Sequence, residues 1–201
     1  MTSLAPAAPR RLVLADRVIP RHVVTDITLV VLGAALVGGF AQLYVPLWPV
    51  PVTGQTLAVL LVGAALGSVR GSLAMIVYAI AGIVGVPWFS ESGSGWNVVA
   101  GPTGGYIVGF IFSAFLVGWL SERQWDRRLL KAAATFLGGT VVVFAIGLPW
   151  LAVVLGLNLQ QTLEGGLYPF IIGGLIKAAI AAGLLPLAWW SAGRLSRTRN
   201  D

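Results

Sequence analysis

The last long apolar run of the chain contains one lysine, Lys177, and none of the apolar runs contains an acidic residue to neutralise it. An ionised lysine inside a bilayer costs about 2.5–3.5 kcal/mol on insertion scales, so such a residue usually has a function. Its three donors and its charge bind an acceptor strongly where water is scarce. We therefore expect ligand binding, with bonding to backbone carbonyls or extension to the membrane surface as the structural alternatives.

Uncharged polar and aromatic residues gather where two other apolar runs begin. One run begins with Thr-Gly-Gln-Thr at 53–56, and another begins with Gly-Pro-Thr-Gly-Gly-Tyr-Ile-Val-Gly-Phe at 101–110, just after a polar loop. Amides and hydroxyls both donate and accept, and glycines let a ligand approach the backbone. These features predict a small-molecule pocket, whereas an interfacial aromatic belt is the alternative for the tryptophans. The candidate ligand-binding residues are Thr53, Gln55, Trp96, Asn97, Gly104, Gly105, Tyr106, Gly174 and Lys177.

Catalysis is disfavoured by the residue types that are present. The chain has no cysteine and a single histidine, His22, outside the apolar runs, which hold no aspartate or glutamate. An enzyme would need a nucleophile, a base or a metal set within its site. We expect no enzyme activity, metal or cofactor, and the chain has no P-loop pattern with which to use ATP itself.

Composition places the chain in a membrane. Of its 201 residues, 57% are hydrophobic and 10% are charged, against about 25% charged in soluble domains. The sequence predicts an all-α integral membrane protein with an N-terminal arm over 1–26, a membrane domain over 27–192 and a tail over 193–201. Pro6, Pro9 and Pro20 argue against a helix in the arm.

The apolar runs are long enough for six transmembrane helices. The second is short, and we expect it to tilt or to lie partly inside the protein. Arg70 and Gly71 are expected to form the tight turn that follows it. The six predicted helices lie near 27–45, 54–68, 72–86, 103–120, 132–155 and 168–190.

The basic residues are distributed very unevenly between the two sides. With six spans, twelve of the thirteen Lys and Arg fall on the side of the two termini and none falls on the other. By the positive-inside rule, both termini are cytoplasmic and the polar loops face outwards. This distribution explains the pI near 10.5 without a need to assume nucleic-acid binding. It also favours contact with anionic lipid.

Small residues four apart mark the first predicted helix. Ala34 and Ala35 are followed by Gly38 and Gly39, a spacing that lets another helix pack closely. The neighbour is either a partner protein or another helix of the same bundle.

Four segments together resemble the BioY family, the biotin-specific substrate-capture (S) components of energy-coupling-factor (ECF) transporters. They are Ala-Leu-Val-Gly-Gly-Phe-Ala-Gln-Leu, Pro-Val-Pro-Val-Thr-Gly-Gln-Thr-Leu-Ala-Val-Leu-Leu-Val-Gly, the segment at 101–110, and Pro-Phe-Ile-Ile-Gly-Gly-Leu-Ile-Lys. They occur in order over about 27–186. The family usually has Gly-Asp-Leu-Ile-Lys in its last helix, so Gly174 stands at the aspartate position, and Lys177 is kept. Gln55, Asn97 and Glu164 are candidates to replace the aspartate.

The resemblance implies a function and partners. It implies a six-helix bundle in the bacterial cell membrane that captures biotin at high affinity near the outer face. The implied partners are a transmembrane coupling subunit, contacted through Ala34, Ala35, Gly38 and Gly39, and two cytoplasmic ATPase subunits. The alternatives are capture of a different small vitamin-like ligand, or biotin transport by the chain alone as a facilitator or secondary transporter.

The uneven charge distribution gives a direct test of orientation. We expect Ser92→Cys to react with a membrane-impermeant thiol reagent on intact cells and Thr198→Cys to react only after the membrane is opened, because the latter side carries the basic residues. The natural chain has no cysteine and supplies the background. Labelling at position 198 but not at 92 on intact cells would reverse the topology.

Overall fold

The computed structural model describes residues 13–198, with side chains to residue 191, and it is almost entirely helical. A two-residue antiparallel hairpin, β1 (Tyr44–Val45) and β2 (Val52–Thr53), joins the second and third helices. Single 3-10 turns lie at Ser90–Ser92 and Trp125–Arg127. The α-helices are α1 (Leu14–Val18), α2 (Val23–Ala41), α3 (Gln55–Leu66), α4 (Ser68–Ile83), α5 (Trp96–Ala100), α6 (Gly104–Ser121), α7 (Leu129–Leu155), α8 (Leu159–Gly166) and α9 (Tyr168–Thr198).

Within residues 13–198, four helices are long and apolar enough to cross a membrane: α2, α6, α7 and the 168–191 part of α9. The predicted second and third spans are shorter apolar helices, α3 with 12 residues and α4 with 16. At 1.5 Å per residue, α3 is about 18 Å long, less than the ~30 Å hydrocarbon core. Length and composition therefore support four of the six predicted spans.

Helix α6 lies at the centre of the bundle and packs against α3, α4 and α7. Glycines let these backbones touch: a Cβ on Gly63 would lie 2.8 Å from the carbonyl oxygen of Ala114, and one on Gly118 would lie 2.3 Å from the carbonyl carbon of Gly67. Most of α3 is buried, so its lack of length is compensated by protein on all sides. Of the two expectations for this helix, a tilt or a position partly inside the protein, the second is confirmed.

The turn between α3 and α4 differs from the predicted one. It is centred on Gly67, whose φ of +88° suits glycine, and Gly71 lies inside α4. Glu122 fixes the turn by accepting hydrogen bonds from Ser68 N at 2.8 Å and Ser68 Oγ at 2.7 Å. Arg70, predicted to lie in the turn, is in the first turns of α4.

The expectation that the N-terminal arm lacks a helix is wrong for part of it, since it contains α1 and the start of α2. Arg21 and Arg70 hold α1 in place because both bind the Asp16 carboxylate, at 2.5 and 2.6 Å. Arg70 also pairs with Asp26 at 2.9 Å. We call this end of the bundle, defined by Asp16, Arg70 and Glu122, the charged end.

The Asp16 carboxyl is almost fully buried, with 1% of its side chain exposed. Burial alone would raise its pKa, but hydrogen bonds from Arg21 and Arg70 and the charge of Arg70 outweigh that effect and lower the pKa below its ordinary value. A carboxyl with a lowered pKa in the folded state stabilises the fold above its unfolded pKa of about 3.9. That contribution is lost as the pH falls through the folded pKa.

Asp16→Asn is expected to lower the free energy of unfolding by about 2 kcal/mol at pH 7, because charged hydrogen bonds to two arginines are lost. The difference from the wild type should shrink below about pH 4, where the unfolded aspartate is protonated. Thermal unfolding of both proteins in detergent at pH 7 and pH 3.5 measures this. Asp26→Asn is the control, since Asp26 binds the same Arg70 but is 42% exposed and should matter less. Equal destabilisation by both substitutions would contradict the assignment.

Candidate functional site

A cavity lies at the end of the bundle opposite the charged end, between the starts of α3 and α6, the middle of α7 and the first half of α9. Of the described residues that line it, only Lys177 carries a charge. Its polar lining also includes Thr53, Gln55, Thr56, Tyr78, Ser90 and Thr103, and its aromatic lining is formed by Phe89, Tyr106, Phe110, Phe144 and Phe170.

Lys177 is half-buried on the cavity side of α9. Its Nζ donates hydrogen bonds to the Thr53 carbonyl oxygen at 2.5 Å and to Thr56 Oγ1 at 3.2 Å. The ammonium group thus joins the last helix to β2 and the first turn of α3. Because the contacts to this cation are neutral oxygens, its charge is available to an anionic or strongly polar ligand.

Gln55 is the second polar centre of the cavity. Its Nε2 donates to the Tyr78 hydroxyl at 2.6 Å, and its Oε1 accepts from Thr53 Oγ1 at 2.8 Å. Tyr78 is fully buried, and its ring stacks on Trp88 and contacts Phe89 edge to face. Sequence analysis did not identify Tyr78. A tyrosine inside an apolar helix needs a hydrogen-bond partner for its hydroxyl, and this requirement could have pointed to it.

Tyr106 anchors the aromatic side of the cavity. Its hydroxyl donates to the Gly166 carbonyl oxygen at 3.0 Å. Its ring lies 5.9 Å from Phe144 and 6.2 Å from Phe170, centroid to centroid, and these two phenylalanines are 5.6 Å apart. Three helices therefore contribute one continuous aromatic wall, a surface suited to an apolar ring system.

The structure brings four of the nine predicted ligand-binding residues into the cavity: Thr53, Gln55, Tyr106 and Lys177. Trp96 and Asn97 are exposed in α5, and their neighbour Val98 lines the cavity instead.

The predicted glycines contact protein rather than the cavity. A Cβ on Gly104 would lie 1.7 Å from the Val99 carbonyl oxygen, and one on Gly105 would lie 2.3 Å from the Trp150 Cβ. These two glycines let α6 pack against α5 and α7. Gly174 lies against Thr140 of α7, whereas Gly173, one helical turn before Lys177, lies against Val52 on the cavity side.

The cavity has a volume of about 40 Å³, well below the roughly 300–1,000 Å³ of small-molecule pockets. A ligand of vitamin size therefore has to displace part of the wall. The wall includes Phe89 and Ser90, and in the same segment they are followed by Glu91 and Ser92, whose φ angles are positive at 61° and 54°. Such backbone conformations in non-glycine residues cost about 1–3 kcal/mol each and are common at sites that move.

Gln42, another residue that sequence analysis missed, holds this segment. Its Nε2 donates to the Phe89 carbonyl oxygen at 3.0 Å, and its Oε1 accepts from Ser92 N at 3.1 Å. The end of α2 is thus connected directly to the segment that contributes Phe89 and Ser90 to the cavity lining.

The family model described as the BioY family matches residues 10–194 of the chain. This chain belongs to the BioY family. A biotin transporter BioY of Rhizobium etli is 36% identical over 167 residues, covering 78% of this chain and 89% of that protein. A probable biotin transporter BioY of Pyrococcus horikoshii is 38% identical over 156 residues, covering 78% and 91%.

A solved structure also matches this BioY-family chain. It is the S-component for biotin from an ECF-type ABC transporter, with a TM-score of 0.72 and 24% identity, covering 81% of this chain and 89% of that one. This match shows that the two chains share a fold. The predicted family is confirmed, and the naming of the relatives as transporters agrees with the prediction that the chain is not an enzyme.

The four small residues of α2 lie on two different faces. Ala34 and Gly38 are buried, and a Cβ on Gly38 would lie 3.0 Å from the Trp88 side chain. Ala35 and Gly39 are exposed, and nothing lies within 4 Å of a Cβ built on Gly39. In this BioY-family chain, the first pair packs inside the bundle and only the second pair is accessible to a partner.

Proposed function

We propose that the chain captures biotin from outside the cell and passes it inwards as the S component of an ECF transporter. The proposal is supported by membership of a family whose relatives are named biotin transporters, together with one structural observation. That observation is a single cation, Lys177, facing a cavity lined by neutral polar groups and aromatic rings.

In this proposal the chemistry of biotin matches the two sides of the cavity. The fused rings pack against Tyr106, Phe144 and Phe170, and the ureido group or the carboxylate bonds to Gln55 and Lys177. An amide that donates and accepts suits a ureido group, and an ammonium suits either oxygen acceptor. Trp96 and Asn97 would reach the ligand only if α5 moved with the cavity wall.

The proposed setting is a bacterial cell membrane crossed six times, with α3 and α4 as the two short crossings and both termini cytoplasmic. Twelve basic residues on the side of the termini support this orientation. The exposed face of α2 with Ala35 and Gly39 binds the transmembrane coupling subunit. Energy comes from two cytoplasmic ATPases.

Lys177→Met tests the pocket. The change keeps most of the length of the side chain and removes its charge, so we expect biotin to bind about a hundredfold more weakly, as for a lost charged hydrogen bond. Titration of purified protein with biotin measures this, with other water-soluble vitamins as competitors. Lys131→Met is the matched control, since Lys131 lies at the start of α7 next to Trp125, away from the cavity.

Binding within about twofold of the wild type would show that Lys177 is structural. Tight binding of another vitamin, with none of biotin, would replace the proposed ligand and leave the pocket in place.

Ala35→Trp and Gly39→Trp test the proposed docking face. A large side chain on an exposed small-residue face prevents close helix contact, so both variants should lose co-purification with the coupling subunit and biotin uptake while keeping biotin affinity. Gly183→Trp is the control, because it adds the same side chain to α9, where nothing lies within 4 Å of a Cβ. Unchanged co-purification of monodisperse Ala35→Trp protein would assign the partner to another face.

A further inference from the structure

A second concavity, which we call the α7–α9 cleft, opens between those two helices on the outer surface of the bundle. Its volume is about 360 Å³, nine times that of the central cavity and within the range of small-molecule pockets. Thr140, Phe144, Leu148, Leu167, Phe170 and Gly174 are among the residues that line it.

Gly174 and Thr140 face each other across the cleft. Gly174 has no side chain to fill it, and the nearest atom to a Cβ built there is Thr140 Cγ2, at 3.8 Å. Thr140 is the single polar side chain in the lining, and its hydroxyl donates to the Phe136 carbonyl oxygen of its own helix at 2.9 Å. The threonine therefore turns its methyl group towards Gly174, and the lining offers a ligand no polar side-chain group that is free to bond.

The location of the cleft determines which molecules can reach it. Both flanking segments, α7 and residues 168–191 of α9, are long and apolar enough to cross a membrane. The neighbouring side chains of Ile171 and Leu175 are 44% and 55% exposed, as expected for a surface in contact with hydrocarbon. A polar solute would lose its hydrogen bonds in this cleft without replacement.

The cleft shares a wall with the central cavity. Phe144 and Phe170 line both spaces, with their ring centroids 5.6 Å apart. A molecule in the cleft would therefore contact the outer faces of the rings whose inner faces form the aromatic wall of the cavity.

We propose that the α7–α9 cleft is a binding site for one acyl chain of a membrane phospholipid. The chain lies over Gly174 and the Thr140 methyl group and packs against Phe144 and Phe170. Because the bilayer is as apolar as the cleft, occupancy depends on shape and van der Waals contact rather than on the hydrophobic effect. We therefore expect an acyl chain to prefer the cleft over the surrounding bilayer by several-fold, rather than by many orders of magnitude.

Gly174→Leu fills the cleft, because a Cβ at this position meets only an ordinary contact. The probe is phosphatidylglycerol with a diazirine in one acyl chain, added to purified protein in detergent. Photolabelling of the peptides that contain 137–148 and 167–175 should fall by about fivefold relative to the wild type, as should retention of the lipid in native mass spectrometry. Gly183→Leu, which adds the same side chain to open space on the same helix, should leave both unchanged.

Thr140→Leu fills the cleft from the other helix and decides the result if Gly174→Leu does not fold. Equal labelling of the wild type and the filled variant would show only general lipid contact and would overturn the proposal. An equal loss of labelling in Gly183→Leu would do the same. Protection of these peptides from photolabelling in a dimeric fraction would also overturn the proposal, because it would assign the cleft to a second copy of the chain.

Discussion

Much of the structure around the cavity depends on one ammonium group inside an apolar bundle, that of Lys177. Lys177 cannot be left without acceptors at this depth, and it obtains them from the Thr53 carbonyl and the Thr56 hydroxyl. That carbonyl is available because the chain between α2 and α3 forms a short hairpin instead of continuing a helix. Irregular backbone at membrane depth is tolerated where it lines a cavity. The cation, the hairpin and the cavity are therefore parts of one arrangement.

Close backbone packing at the centre makes room for this arrangement. Helix α3 is too short to cross a bilayer alone, and the contacts of Gly63 with Ala114 and of Gly118 with Gly67 surround it with protein. The start of α3 can then carry Gln55 and Thr56 into the interior with their polar groups bonded. Glycine thus contributes mainly through helix contacts, which is also the role of Gly104 and Gly105.

The sequence predicted those features that depend on hydropathy and residue type, namely the helical class, four of the spans, the burial of α3 and the position of Lys177 beside uncharged polar groups. Features that depend on the exact rotation of a helix were not predictable. Gly174 was predicted to bind ligand, yet it lies against Thr140 of α7, whereas its neighbour Gly173 lies against Val52 of β2. Likewise, the α1 helix depends on Asp16 meeting Arg70, which is distant in sequence. The N-terminal cap of α8 was predictable from the sequence but was not predicted. In this cap, the side chains of Asn158 and Gln161 each accept a hydrogen bond from the other residue's backbone N–H.

Helix α9 borders two different spaces, the central cavity and the α7–α9 cleft. Neighbours in sequence on a helix point about 100° apart. Lys177 lines the cavity and Gly173 lies against Val52, while Gly174 and Leu175 border the α7–α9 cleft. The rings of Phe144 and Phe170 line both spaces. Such rings can change position by rotation about side-chain bonds, without breaking any helical hydrogen bond. The cavity of about 40 Å³ can thus enlarge on this side at a lower cost than on the sides where α3, α4 and α6 touch through their backbones.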